Sequence, residues 1–204
     1  MVSADPEHYE LHHEDETHLE TNPTLYRVWH RRGQQATVPA AGTNRRLTLF
    51  GSVEVLGRGR VEVLCADQTS ASFRCYLAAL ERRHQETGRA VYLVLDNGPC
   101  HTSKASREAL AKRAGWLRVI WLARYAPKLN RKEREWRWLK RDTRGHLARS
   151  LRAFVEAILA GVQRLGGTRI DVEEHVPDWF LAGQRKPRPA RRPRRRGRRM
   201  PQAA

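Results

Sequence analysis

The stretch that most constrains this chain is Val91-Tyr-Leu-Val-Leu95 followed by Asp96-Asn97-Gly98-Pro99. Five apolar residues with several β-formers read as a strand buried on both faces, and the turn residues behind it must end that strand. A carboxylate at the mouth of a core strand stands where open α/β sheets place their chemistry, in the crevice beyond the carboxyl ends of the strands. Taken alone, Asp96 reads equally well as a turn residue that caps a loop through a local hydrogen bond. The remaining sequence has to say whether other acids reach the same place.

Upstream, Tyr9-Glu-Leu-His-His-Glu14-Asp15-Glu16-Thr alternates weakly and predicts a strand over residues 8–17. On a strand, Glu14 and Glu16 face one way and Asp15 the other, so only one face can join Asp96. His12, His13 and His18 fit no common zinc spacing and read as surface histidines. Two β-type runs over 47–56 and 60–65 flank Gly57-Arg58-Gly59, the kind of residues that close a hairpin. Thr69 or Ser70 caps a helix reaching Thr87, with Phe73, Tyr76, Leu77 and Leu80 on one stripe and Gly88 as its stop.

After the Val91–Leu95 strand, Ser103 caps a helix through Lys112, and residues 117–122 form another strand. Asn130 can cap a helix over 131–143, and a last amphipathic helix spans 150–165. On the helix at Arg131, spacings of three, four and seven place Glu133, Trp136, Arg137 and Lys140 on one face, with Glu135 and Leu139 on another. The order strand, hairpin, helix, strand, helix, strand, helix, helix predicts an α/β fold whose mixed sheet begins antiparallel and continues parallel.

Charge narrows the partners. The chain carries a formal charge of +17, and ten of the fifteen residues from Arg185 to Arg199 are Lys or Arg. Without that run the body keeps a net +7. A balance of this kind suits a polyanion, nucleic acid first, although an anionic membrane would fit on charge alone. No apolar run approaches the roughly 20 residues that span a bilayer, and Met1–His8 lacks the regions of a signal peptide, so the chain reads as cytoplasmic. Cys65, Cys75 and Cys100 have neither even number nor C-x-x-C spacing and read as buried or half-buried thiols.

Three blocks resemble the catalytic domain of DDE transposases, specifically the bacterial insertion-sequence branch of the mariner superfamily. Asp15-Glu16 with Trp29 and Gly33-Gln34 is similar to the family's Asp-Glu pair leading into a Trp and a Gly-Gln. Leu95-Asp96-Asn97 with His101 is similar to its Asp-Asn-x-x-x-His. Tyr125-Ala-Pro127-Lys-Leu129-Asn130-Arg-Lys-Glu133-Arg-Glu-Trp136 is similar to its Tyr-Ser-Pro-x-Leu-Asn-Pro-Ile-Glu-x-x-Trp, with 36 residues between Asp96 and Glu133. The departures are Ala126, Lys128, Arg131 and Lys132, where the family often has Ser, an acid, Pro and Ile.

The resemblance implies a ribonuclease-H-like domain over residues 8–182, with the first Asp on the first strand, the second at the end of the fourth and the Glu on a later helix. It implies Asp15, Asp96 and Glu133 as catalytic ligands of two Mg²⁺ or Mn²⁺ ions, with Glu16, Asn97 and His101 in support. Such ions take hard oxygen ligands, and three clustered carboxylates without them would repel until at least one pKa rises. The implied reaction is metal-dependent cleavage at transposon ends followed by strand transfer into target DNA. A non-catalytic nucleic-acid-binding remnant, or another nuclease of the same fold, stays open. The resemblance further implies a homodimer when active and an upstream helix-turn-helix module. The first catalytic strand begins within about ten residues of Met1, which suggests a second reading frame or a truncated copy. Residues 183–204 read as a disordered basic tail in which Arg185, Lys186, Arg188, Arg191, Arg192, Arg194, Arg195, Arg196, Arg198 and Arg199 contact phosphates.

Overall fold

The computed structural model describes residues 7–22, 29–35, 37, 44–57, 59–123, 130–143, 150–166 and 182. The centre of the sheet is β1 (Tyr9–Glu20), which pairs antiparallel with β2 (Arg46–Glu54) on one side and parallel with β4 (Ala90–Leu95) on the other. β3 (Arg60–Cys65) completes the antiparallel side and β5 (Leu117–Trp121) the parallel one, giving the order β3-β2-β1-β4-β5. The mixed sheet expected from the sequence is therefore the one observed. β1 is longer than expected: its register with β2 runs unbroken to Glu20, opposite Arg46. Long-range pairing thus extends the strand beyond the weak local alternation that suggests an end at Thr17.

Both faces of the sheet are covered. On one, α1 (Ser70–Thr87) packs Phe73, Tyr76, Leu77 and Leu80 against Phe50, Val63, Leu93 and Leu95, and α3 (Lys104–Ala111) adds Ala109 and Leu110. On the other, Trp136 and Leu139 of α4 (Lys132–Asp142) and Phe154, Val155, Ile158 and Val162 of α5 (Leu151–Arg164) cover Leu19, Leu47, Leu49 and Leu64. The caps follow the local chemistry. Thr69 accepts from the Ser72 amide, Ser150 from Ala153, and Gly88 takes the left-handed φ of 67° that closes α1.

Two features differ from expectation. Pro99–Thr102 form a short helix, α2, directly behind the β4 turn, with Pro99 in its first turn. On α4 the buried stripe is Lys132, Trp136 and Leu139, while Arg137 and Lys140 are exposed. Trp136 lies at the edge of the face it shares with Arg137 and Lys140, and the helix is oriented so that burial runs from Trp136 towards Lys132 and Leu139 rather than towards Arg137 and Lys140. Cys65, Cys75 and Cys100 are free thiols, buried or half-buried. Among the described residues, no helix is long and apolar enough to cross a membrane.

Candidate active site

β1 outruns β4. Their parallel register stops at His13 opposite Val94, whereas β1 continues beside β2 for seven more residues. The Asp96–Pro99 turn therefore opens next to the middle of β1. Two bonds hold that turn: Oδ1 of Asp96 accepts from the Gly98 amide at 2.8 Å, and the Asn97 side chain donates to the Leu122 carbonyl at 2.8 Å. Asn97 thus ties the end of β4 to the end of β5.

Strand alternation sends the acids of β1 to opposite faces, as the sequence requires. Asp15 faces α4. Its carboxyl is pushed up to about 7, chiefly by burial, with the charges of Glu16, Glu133 and Asp96 adding to the rise. Asp15 thus feels the charges of Glu133 and Asp96, as smaller additions to burial and to the charge of Glu16.

Glu14 and Glu16 face the other way, onto α2. There His101, wholly buried, lies with Nδ1 2.8 Å from Oδ1 of Asp96, and with Nε2 3.3 Å from Glu14 and 3.2 Å from Glu16. Burial opposes its charging, but the Glu14 charge and the bond to Asp96 outweigh this and hold its pKa far above the usual imidazole value. The imidazolium has the reverse effect on its partners. Its hydrogen bond to Asp96 is the largest influence lowering that carboxyl, and Glu16 is also lowered, where bonds from His101, Cys100 and Gln68 prevail over burial. Glu14 has neither oxygen in a hydrogen bond, and burial followed by the Glu16 charge pushes it up to about 8.

α4 is fastened to β1 by Asn130, which donates to the Glu14 carbonyl at 2.6 Å and accepts from the Lys132 amide at 3.0 Å. The first bond locks α4 to the residue next to Asp15; the second caps the helix that carries Glu133. A groove of about 610 Å³ runs from Glu133 between α4 and the β2–β3 turn, lined by Val53, Asn130, Arg131, Arg134 and Arg137. Asp15, Asp96 and Glu133 offer only hard oxygen donors, a set that fits Mg²⁺ or Mn²⁺. Among the described residues, the one group of three metal-ligating side chains whose atoms lie within 4.8 Å of one another is Glu16, Cys100 and His101, not the three acids. Its atoms bond to one another, with Cys100 donating to Glu16 at 2.8 Å.

Sequence reasoning missed Glu14, Cys100 and Asn130 as parts of this cluster, although Glu14 and Cys100 each adjoin a motif residue. The expectation of surface histidines is corrected at His12. It is wholly buried beneath α1, with Nε2 2.7 Å from Glu10 and Nδ1 3.0 Å from Ser52. Glu10 also accepts from both Arg83 and Arg89, and this charge makes a buried polar histidine tolerable on a core strand. Tyr125, Pro127 and Leu129 of the third block, and the basic run from Arg185 to Arg199, lie outside the described residues.

The sheet order β3-β2-β1-β4-β5 with helices on both faces is a ribonuclease-H-like fold. The sequence model of the DDE superfamily endonuclease family matches residues 10–155, and the chain belongs to that family. No curated protein sequence matches it. Among solved structures it is similar to the Mos1 transposase paired-end complex with left transposon end, at a TM-score of 0.55 and 19% identity over 76% of this chain and 52% of that one. A Mos1 mariner paired-end complex with Mn matches at 0.53 and 19%, again over 76% and 52%. A simian T-cell lymphotropic virus intasome matches at 0.51 and 17%, over 92% of this chain and 59% of that one. The chain thus spans about half the length of the Mos1 transposase chains it resembles.

Proposed function

We infer that this chain is the catalytic domain of a transposase, in which Asp15, Asp96 and Glu133 hold two divalent ions, Mg²⁺ or Mn²⁺, for cleavage of DNA at transposon ends and strand transfer into target DNA. The observation that carries this reading is the placement of the three acids in the fold: Asp15 in β1, Asp96 directly after the neighbouring β4, and Glu133 in the first turn of α4, which Asn130 ties to the residue next to Asp15. The structures of similar proteins support it, since they hold transposon ends and, in one case, Mn. When bound, such ions activate the attacking oxygen and stabilise the leaving one.

The chain's own residues have separable tasks. Asp96 directs Oδ1 to His101 and Gly98, which leaves Oδ2 for a ligand. His101 holds Asp96 ionised and fixed in direction, and Asn97 keeps its turn in place. Arg131, Arg134 and Arg137 line the groove at Glu133, where phosphates of a DNA strand would lie. The basic tail adds phosphate contacts without sequence preference. Residues 8–182 form the catalytic unit, which works as a homodimer with an upstream helix-turn-helix module that finds the ends. The site of action is the cytoplasm, at the nucleoid when DNA is bound.

The test is nicking of a labelled duplex carrying the element's end, with Mg²⁺ or Mn²⁺. Asp96→Ala and Glu133→Ala are each expected to abolish cutting while DNA affinity stays within about twofold, because phosphate contacts from Arg and Lys supply most of it. Cutting that persists in both variants would overturn the assignment.

A further inference from the structure

Lys132 occupies a position where an apolar residue is usual in the resembling motif, and it is wholly buried. Its ammonium bonds to Glu62 of β3, itself 3% exposed, and lies 2.9 Å from Glu135. Glu135 in turn accepts from Arg60 at 2.6 Å. The indole of Trp136 covers the ammonium, 4.4 Å from ring centroid to Nζ. A buried cation of this kind is costly to leave unpaired, so Glu62 is its necessary complement.

The pair is also built into the sheet. Asp15, Gly51 and Glu62 stand opposite one another in a single row across β1, β2 and β3. Gly51 leaves open the space the pair occupies. A Cβ there would collide with the Glu62 carboxylate, and would stand 2.7 Å from the Trp136 ring and 2.9 Å from Cε of Lys132. One end of the row is therefore Asp15, and the other end grips the residue that immediately precedes Glu133. A salt bridge is directional where an apolar contact is not, and it fixes both the height and the rotation of the first turn of α4.

The geometry points to Lys132 and Glu62 as a positioning pair. Through Gly51 they set the first turn of α4 on the row that contains Asp15, and so aim Glu133 at the site. The inference rests on the proposed transposase reading for its effect on cleavage, and on the geometry alone for its effect on α4.

The test is a double-mutant cycle in the full chain with Lys132→Ile, Glu62→Val and the double variant, plus Glu62→Gln, which keeps size and hydrogen bonding. Three quantities are read: kcat and KM for metal-dependent nicking, hydrogen exchange of the first turn of α4, and the thermal midpoint. Each single variant is expected to lower kcat roughly a hundredfold with KM within about twofold, the scale that follows from a displacement near 1 Å. Exchange of the first turn should rise with it. In the double variant, with both charges gone, kcat and exchange should return to within about threefold of wild type. Single variants that lose thermal midpoint but keep kcat would overturn the inference, as would losses that simply multiply in the double variant. A wild-type chain that cuts no DNA counts against the transposase reading alone. Exchange then decides the inference, which fails if the double variant's first turn opens as fast as that of the single variants.

Discussion

Nδ1 of His101 lies 2.8 Å from Oδ1 of Asp96, and this bond joins the two faces of β1. Through it a half-exposed carboxylate at the mouth of the site rests on a buried cation, which is flanked on its other side by Glu14 and Glu16. His101 is thus the counter-charge of three acids.

Replacing His101 with Ala leaves Glu14 and Glu16 buried without that charge. The expected cost is about 3–5 kcal/mol, the range for breaking a buried pair by removing one partner. It is measured as a lower urea midpoint. Adding Glu16→Gln to His101→Ala should recover part of the loss, because Glu16 is the carboxylate that His101 keeps ionised. An unchanged midpoint in His101→Ala would count against this role.

Asp15 gives the metal-free protein a pH dependence of definite sign. Its folded pKa of about 7 lies above the ordinary 3.8, so its contribution to stability is fully present below pH 4 and is lost as pH rises through 7. Thermal midpoints should fall over that window, and the Asp15→Asn variant should fall less. Mg²⁺ or Mn²⁺ competes with the proton, so added metal should raise the midpoint more at pH 8 than at pH 5. An equal rise at both would contradict the role given to Asp15.

Glu10 works in the opposite direction. Burial alone would raise it, but bonds from His12 and Arg83 hold it near 2, below the ordinary 4.5. Its stabilisation is present above pH 4.5 and lost as pH falls towards 2. Arg83→Met removes two hydrogen bonds to Glu10 and should cost about 3 kcal/mol at neutral pH, by the same logic of a buried charge losing its partner. The check is chemical denaturation at pH 7 and pH 3, where the difference between wild type and variant should shrink.

Deleting residues 183–204 should flatten the salt dependence of DNA affinity. With ten cations removed, the slope of log K against log salt is expected to fall by up to about 9, since each phosphate contact contributes about 0.9. Titration of a fluorescent duplex at several salt concentrations reads the slope. An unchanged slope would remove the tail from the interface.

Local chemistry made most of the fold legible. Caps such as Thr69 and Ser150, the period of α5 and the apolar run of β4 all act within a few residues, so they can be read in place. Asp96 and Glu133 entered through motifs, and their strand-end and helix positions follow from the neighbouring elements. What stayed hidden depends on distant partners. The burial of His12 needs Ser52, 40 residues away, and that of Lys132 needs Glu62, 70 residues away. The rotation of α4 follows from where Trp136 finds its core, which the helix sequence alone does not contain. Helix α2 is four residues long, too short for any periodicity to reveal.

The alternation of β1 makes this site unusually sensitive to the spacing of its central strand. Glu14, Asp15 and Glu16 are chemically near-equivalent, and which of them meets α4 and which meet His101 follows from the side of the sheet each falls on. A single residue inserted or deleted between Tyr9 and Glu14 would leave three consecutive acids in the chain. It would also turn Asp15 towards His101 and present a neighbouring Glu to Glu133. The motif would survive in the sequence while the centre it specifies was lost, so an intact acid triplet is a weaker sign of a working copy than intact strand spacing.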